Sequence, residues 1–117
     1  MKKLLIVDDE PEILAIIEAF LNAKGGFRII KASNGQEALD ILSRDNSIDL
    51  VVLDHRMPVL DGSATFAEIR KNGLTIPVIL LTGSVGRQTK KLKVDAYLFK
   101  PIDLTELLAH INRLLKL

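Results

Sequence analysis

Asp8 and Asp9 directly follow the apolar run Leu4-Leu5-Ile6-Val7, Asp54 follows Leu50-Val51-Val52-Leu53, and Lys100 follows Tyr97-Leu98-Phe99. Each run reads as a strand. In a parallel sheet the carboxyl ends of neighbouring strands share one edge, and ligands bind there. Three carboxylates and one ammonium, far apart along the chain, would therefore meet in space. Crowded carboxylates raise one another's pKa unless a cation intervenes. A hard divalent cation with oxygen ligands is the simple resolution. A carboxylate in that position can also attack a phosphorus centre and form an acyl phosphate. The residue types thus point to uptake of a phosphoryl group at a carboxylate assisted by a metal ion.

The elements that must position these groups follow from the apolar pattern. Strands are expected at Lys3–Val7, Phe27–Ala32, Leu50–Leu53, Pro77–Thr82 and Ala96–Phe99. The first, third and fourth are nearly continuous in Val, Ile and Leu, as in strands covered on both faces. Pro11 suits the first turn of a helix, Ile13, Leu14, Ile17, Phe20 and Leu21 follow at helical spacing, and Lys24-Gly25-Gly26 ends it. Ser33 or Asn34 can cap a second helix that turns Ala38, Leu39, Ile41 and Leu42 inward. A third runs from about Ser63 to Lys71 and stops at Asn72-Gly73. Asp103 with Glu106 forms a capping box for the last helix. Between Thr82 and Ala96 the pattern is weaker: Gly83-Ser84-Val85-Gly86 precedes a stretch, Arg87–Val94, with room for two helical turns at most. Alternating strands and helices imply an α/β fold with parallel pairing and right-handed crossovers.

Length and composition bound the rest. One domain, 1–117, is expected, with no repeat, low-complexity tract, linker or second domain. Hydrophobic residues make up 48%, enough for a core, and a net charge of +1 provides no strong field for nucleic acid or anionic membrane. Cysteine is absent, which excludes disulfides, thiolate metal sites and thiol catalysis and fits a cytoplasmic chain. The four apolar residues after Met1-Lys2-Lys3 are too few for a signal-peptide core, and no run approaches a membrane span.

Asp8-Asp9, the run Asp54-His55-Arg56-Met57-Pro58 with Asp61-Gly62 after it, Thr82 and Lys100-Pro101 occur in this order, each at a strand end. Together they resemble the receiver domain of bacterial two-component response regulators, and the likeness covers essentially the whole chain. The resemblance implies a doubly wound, five-stranded, flavodoxin-like parallel sheet in the order 2-1-3-4-5. It implies that Asp54 accepts a phosphoryl group from a sensor histidine kinase or a histidine phosphotransfer protein. Mg2+ would be bound by Asp9 and Asp54 directly, by Asp8 largely through water, and by the backbone carbonyl of Arg56. Lys100 would pair with Asp54 and then with a phosphoryl oxygen, aimed inward by a cis Lys100-Pro101 bond. The Thr82 hydroxyl would bond the phosphoryl group, and Tyr97 would be a switch aromatic that turns into the space Thr82 vacates. Such a domain performs its own phosphorylation and slow dephosphorylation without being an enzyme with a turnover substrate. It signals to a downstream effector protein or an output domain, and binds neither nucleic acid nor membrane itself.

Each of these residues also has a plainer reading. Asp8 and Asp9 can serve as caps before Pro11, where negative charge stabilises a helix by about 0.3–1 kcal/mol. Thr82 and Tyr97 suit a strand, Lys100 suits a surface, and Glu10 reads as a solvated neighbour rather than a ligand. Met57-Pro58 and Gly62 shape the loop after Asp54. His55 faces away from Asp54 by strand alternation. Arg56, His55 and Ser84 flank the site, and Arg56 can shield the acyl phosphate. The order and completeness of the set favour the receiver over three rivals. These are a degenerate receiver that docks partners without phosphorylation, a phosphohydrolase with an aspartyl nucleophile, and a flavodoxin, whose phosphate Asp8-Asp9-Glu10 would repel.

The chain departs from the receiver pattern between Thr82 and Lys100. That interval is about one helical turn short, and Lys93-Val94 stands where a small Gly-Ala pair is usual. A shortened fourth helix with a basic face at Lys90, Lys91 and Lys93 is expected there, and so an unusual output surface. Ala96 replaces an acidic residue used in dimer pairing, which puts a dimer of that kind in doubt.

Overall fold

The computed structural model describes residues 1–83 and 92–117. Five strands, β1 (Lys2–Val7), β2 (Phe27–Ala32), β3 (Leu50–Asp54), β4 (Val78–Thr82) and β5 (Ala96–Phe99), form one parallel sheet in the order β2-β1-β3-β4-β5. Four helices are present among the described residues: α1 (Pro11–Lys24), α2 (Gly35–Arg44), α3 (Gly62–Lys71) and α4 (Leu104–Leu115). The shortened helix expected between β4 and β5, with Ser84, Lys90 and Lys91, lies outside the described residues. Lys93 is exposed.

Strand alternation divides the core into two halves. Leu4, Ile6, Leu50, Val52, Ile79, Leu81, Ala96 and Leu98 face α1 and α4, where Leu14, Ile17, Leu21, Leu107 and Ile111 meet them. Leu5, Val7, Val51, Leu53, Val78 and Leu80 face α2 and α3, against Ala38, Leu42, Phe66 and Ile69. Every residue of β3 and β4 is buried, which accounts for the apolar runs that precede Asp54 and Thr82. Each fully buried Leu, Ile or Val contributes roughly 1.5–3 kcal/mol from removal of apolar surface, offset by the entropy of ordering it.

Register brings the strand ends level. Val7 lies opposite Ala32 and Leu53, Asp54 opposite Leu81, and Thr82 opposite Phe99. Helix starts are fixed by side chains just beyond that edge. Asn34 Oδ1 accepts from the Glu37 amide at 2.9 Å, Asp61 Oδ1 from Ala64 at 2.8 Å, and Asp103 Oδ1 from Thr105 and Glu106 at 2.9 and 3.1 Å. At the opposite edge Arg70 ties α3 to the sheet. Its guanidinium donates to the carbonyls of Leu74 and Ile76 and pairs with Asp95, whose carboxylate also accepts from the Val78 amide at 2.7 Å.

Gly35, at the start of α2, is where α2 meets the turn after β3. A Cβ there would overlap Thr65 Oγ1 and come within 2.7 Å of the Leu60 carbonyl oxygen. Alanine improves helix propensity by about 1 kcal/mol, but a backbone oxygen cannot swing aside. Gly35→Ala is expected to lower stability by about 1–3 kcal/mol, read as a drop in the urea midpoint. An unchanged or higher midpoint would show that the Leu60 turn yields freely.

Candidate functional site

Asp8, Asp54 and Thr82 are buried polar residues at the carboxyl edge of an otherwise apolar sheet, each 1% exposed. The backbone holds them in place. The amide of Asp8 donates to Ala32 O at 3.1 Å, that of His55 to Leu81 O at 2.9 Å, and that of Lys100 to Thr82 O at 2.9 Å. Asp54 ends β3 and extends the row that faces α1 and α4. Thr82 and Tyr97 belong to the alternate row, on the α2 and α3 side.

Lys100 Nζ lies 2.6 Å from Asp54 Oδ1. That oxygen makes no directional hydrogen bond, so the contact acts as an ion pair. Burial pushes the Asp54 carboxyl above its ordinary range, Lys100 pulls it back, and Asp9 pushes it up again. Burial alone would lower the Lys100 ammonium pKa, but the pairing with Asp54 outweighs this and raises it. The Lys100-Pro101 bond is cis, as the resemblance implies.

Asp8 Oδ1 accepts from the Glu10 amide at 2.9 Å, while Oδ2 is buried with no hydrogen-bond partner. Its carboxyl is pushed up to about 6, chiefly by burial; the Glu10 amide opposes this and the Asp54 charge adds to it. Asp8, Asp9 and Glu10 each place a carboxylate oxygen within 4.8 Å of the others. Glu10, which the sequence presents as a solvated neighbour, is exposed but belongs to this trio, whereas Asp54 turns one oxygen to Lys100. An orphaned buried oxygen among three carboxylates, with no nitrogen or sulfur donor in the trio, fits a hard divalent cation.

The edge opens on two sides. One cleft is lined by Asp8, Glu10 and Lys100 together with Ile13, Ile16 and Ile102. The other is lined by Asp9, His55, Arg56, Met57, Pro58 and Asp61. Arg56, the expected carbonyl ligand, therefore faces the same space as Asp9. His55, placed away from Asp54 by alternation, lines that space too. The loop behind it is tight. Gly62 donates to His55 O at 2.8 Å, and a Cβ on Gly62 would come within 2.5 Å of Asp54 O. Leu60 N donates to Pro58 O at 2.7 Å, closing a three-residue turn on Val59, whose φ is 71°. A β-branched residue with positive φ is strained, at a cost on the order of 1–3 kcal/mol.

Thr82 sits at the end of β4 beside this edge. The Tyr97 hydroxyl donates to Leu92 O at 2.7 Å, its ring packs on the α2 and α3 half of the core, and burial raises its pKa. Sequence reading gave Gly62 a part in shaping this loop but did not reveal the turn at Val59, which has no Gly or Asn to signal it.

Residues 4–112 match the family model of the response regulator receiver domain. The chain belongs to that family. It is 38% identical to the transcriptional regulatory protein CpxR of Escherichia coli K12 over 99% of its own length and 50% of the relative's. A probable transcriptional regulator ycf27 of Porphyra purpurea is 42% identical over 98% of the chain and 48% of that protein. The chain thus spans about half the length of the curated relatives it matches. The receiver domain of Francisella response regulator 1452 superposes with a TM-score of 0.91 at 32% identity, covering 99% of this chain and 98% of that one. The response regulator TrrA of Thermotoga maritima, solved in complex with Mg2+ and BeF, superposes with a TM-score of 0.85 at 36% identity, covering 97% and 99%.

Asp8 gives a pH-dependent prediction for the metal-free receiver. Its carboxyl rises from 3.8 to about 6 on folding. This contribution to stability is therefore fully present below pH 3.8 and lost as pH rises through about 6. In chelator above that range the buried charge costs roughly 2–3 kcal/mol. Asp8→Asn keeps the acceptor for Glu10 and removes the charge, so it is expected to melt higher than wild type near pH 8 and about equally near pH 4. A lower melting temperature for the variant near pH 8 would show that the charge is not a burden.

Proposed function

We propose that this receiver is a phosphorylatable switch in which Asp54 takes a phosphoryl group from a phosphohistidine of a sensor kinase or phosphotransfer protein. The observation that carries this reading is the buried Asp54 carboxylate, 2.6 Å from Lys100 and beside Asp8 and Asp9. The donor set fits Mg2+, with Asp8, Asp9, Asp54 and the Arg56 carbonyl as the protein's ligands. When bound, the ion offsets negative charge on the incoming phosphoryl oxygens and on the attacking carboxylate.

Asp54 supplies the nucleophile. Its oxygen forms the O–P bond as the N–P bond of the donor breaks, and the leaving imidazole nitrogen keeps the electron pair. Lys100 pairs with the carboxylate before transfer and with a phosphoryl oxygen after it. The Thr82 hydroxyl then bonds the phosphoryl group, and Tyr97 follows the movement of Thr82. The outcome is a changed surface rather than a released product. Water later attacks the phosphorus, the O–P bond to Asp54 breaks with its electron pair kept by the carboxylate, and inorganic phosphate departs, so the domain has phosphotransfer and autodephosphorylation chemistry but no turnover substrate. A cytoplasmic setting suits this role, and no helix among the described residues is long and apolar enough to cross a membrane. The output passes to an effector protein or an output domain, in keeping with relatives named as transcriptional regulators.

Beryllofluoride binding tests the reading. Wild type is expected to bind it only with Mg2+ present, Asp54→Asn not at all, and Lys100→Ala at least tenfold more weakly, by calorimetry. Retained binding in Asp54→Asn contradicts the assignment. No binding by wild type leaves a phosphorylation-independent docking module in its place. Arg56 faces the Asp9 cleft and is expected to shield the acyl phosphate. Arg56→Ala should therefore lose its phosphoryl group several-fold faster, and an unchanged rate counts against that role.

A further inference from the structure

We propose that Val59 tunes the affinity of the cation site by holding the loop after β3 under backbone strain. This rests on the reading of the acidic edge as a Mg2+ site. Val59 has φ 71° and is 80% exposed, so its side chain buries almost nothing in exchange for that conformation. The turn it occupies, closed by Leu60 N to Pro58 O at 2.7 Å, has the strained hand for an L residue, and β-branching makes it worse. Among the described residues the other positive φ values belong to three glycines and to Lys116, near the end of the chain.

Both ends of the turn are tied down. Upstream, Met57 is buried in the α2 and α3 half of the core, and Pro58 has a fixed φ. Downstream, Leu60 abuts Gly35, Asp61 caps α3, and Gly62 N bonds His55 O. Strain at Val59 therefore bears on Arg56, Met57 and Pro58, which line the cleft with Asp9. A strained turn spends part of its time relaxed, and a relaxed loop takes its backbone away from Asp9. Apparent affinity for the cation falls by the fraction of chains with the loop in place. Residues that adopt positive φ readily remove that loss.

The test compares Val59→Gly and Val59→Asn, which relieve the strain, with Val59→Ala, which removes the branch and keeps the Cβ. Magnesium alone is titrated by calorimetry near pH 8, and exchange of the Leu60 amide is followed in chelator. Gly and Asn are expected to bind Mg2+ at least threefold tighter than wild type and to slow Leu60 exchange, while Ala stays within twofold on affinity. Equal affinity for wild type, Gly and Asn overturns this inference alone. So does an Ala variant as tight as Gly, because the side chain rather than the backbone would then be responsible. A wild-type chain that takes up no Mg2+ overturns both this inference and the reading of the site.

Discussion

Like charges buried at one edge of a parallel sheet are the constraint to which the rest of this domain answers. Asp8 and Asp54 are each almost fully buried, and burial opposes the charged form of both. Lys100 relieves Asp54 at 2.6 Å, but one oxygen of Asp8 has no partner. Such a cluster survives only where the surrounding scaffold over-determines its geometry. The apolar strands, covered on both faces, supply that surplus. The site departs from the rules that govern the core, as functional sites do.

The two rows of side chains divide the cluster between the two faces of the sheet. Asp54 extends the row that meets α1 and α4, whereas Thr82 and Tyr97 lie on the α2 and α3 side. Asp54 and Thr82 nonetheless end neighbouring strands, and the Lys100 amide bonds Thr82 O. Tyr97 is bonded to Leu92 O, which ties its ring to the segment entering β5. Arg70 and Asp95 anchor the far ends of β4 and β5, opposite the carboxyl edge.

Much of this was legible in the sequence, because the pattern and the physics agree there. Apolar runs that end in Asp8, Asp54, Thr82 and Lys100 imply strand ends at one edge, and the sheet brings them there. Asp103 and Asn34 proved to be caps, as their types suggest. Boundaries shifted where pairing rather than composition decides. Asp54 belongs to β3 because it lies opposite Leu81, and β4 begins at Val78 because Pro77 has no amide to give, although its carbonyl accepts from Val51. The strand order rested on family resemblance, since alternation of strands and helices does not fix it. Close approaches were not legible. Nothing in Ser33-Asn34-Gly35 announces a turn sixty residues into the chain pressing on Gly35, and Pro58-Val59-Leu60 carries none of the Gly or Asn that usually marks a positive φ. Glu10 joins the acidic trio through a backbone bend, its amide bonded to Asp8, that residue type alone does not reveal.

The proposed switch requires Asp54 to accept a phosphoryl group, and to do so only beside a divalent cation. Incubation of the chain with a small phosphoryl donor such as acetyl phosphate, followed by intact-mass and peptide mapping, tests it most directly. One phosphoryl group on Asp54, acquired with Mg2+, absent in chelator and absent in Asp54→Asn, is the expected result. Phosphorylation of a different residue, or equal labelling of Asp54 without any divalent ion, would contradict it.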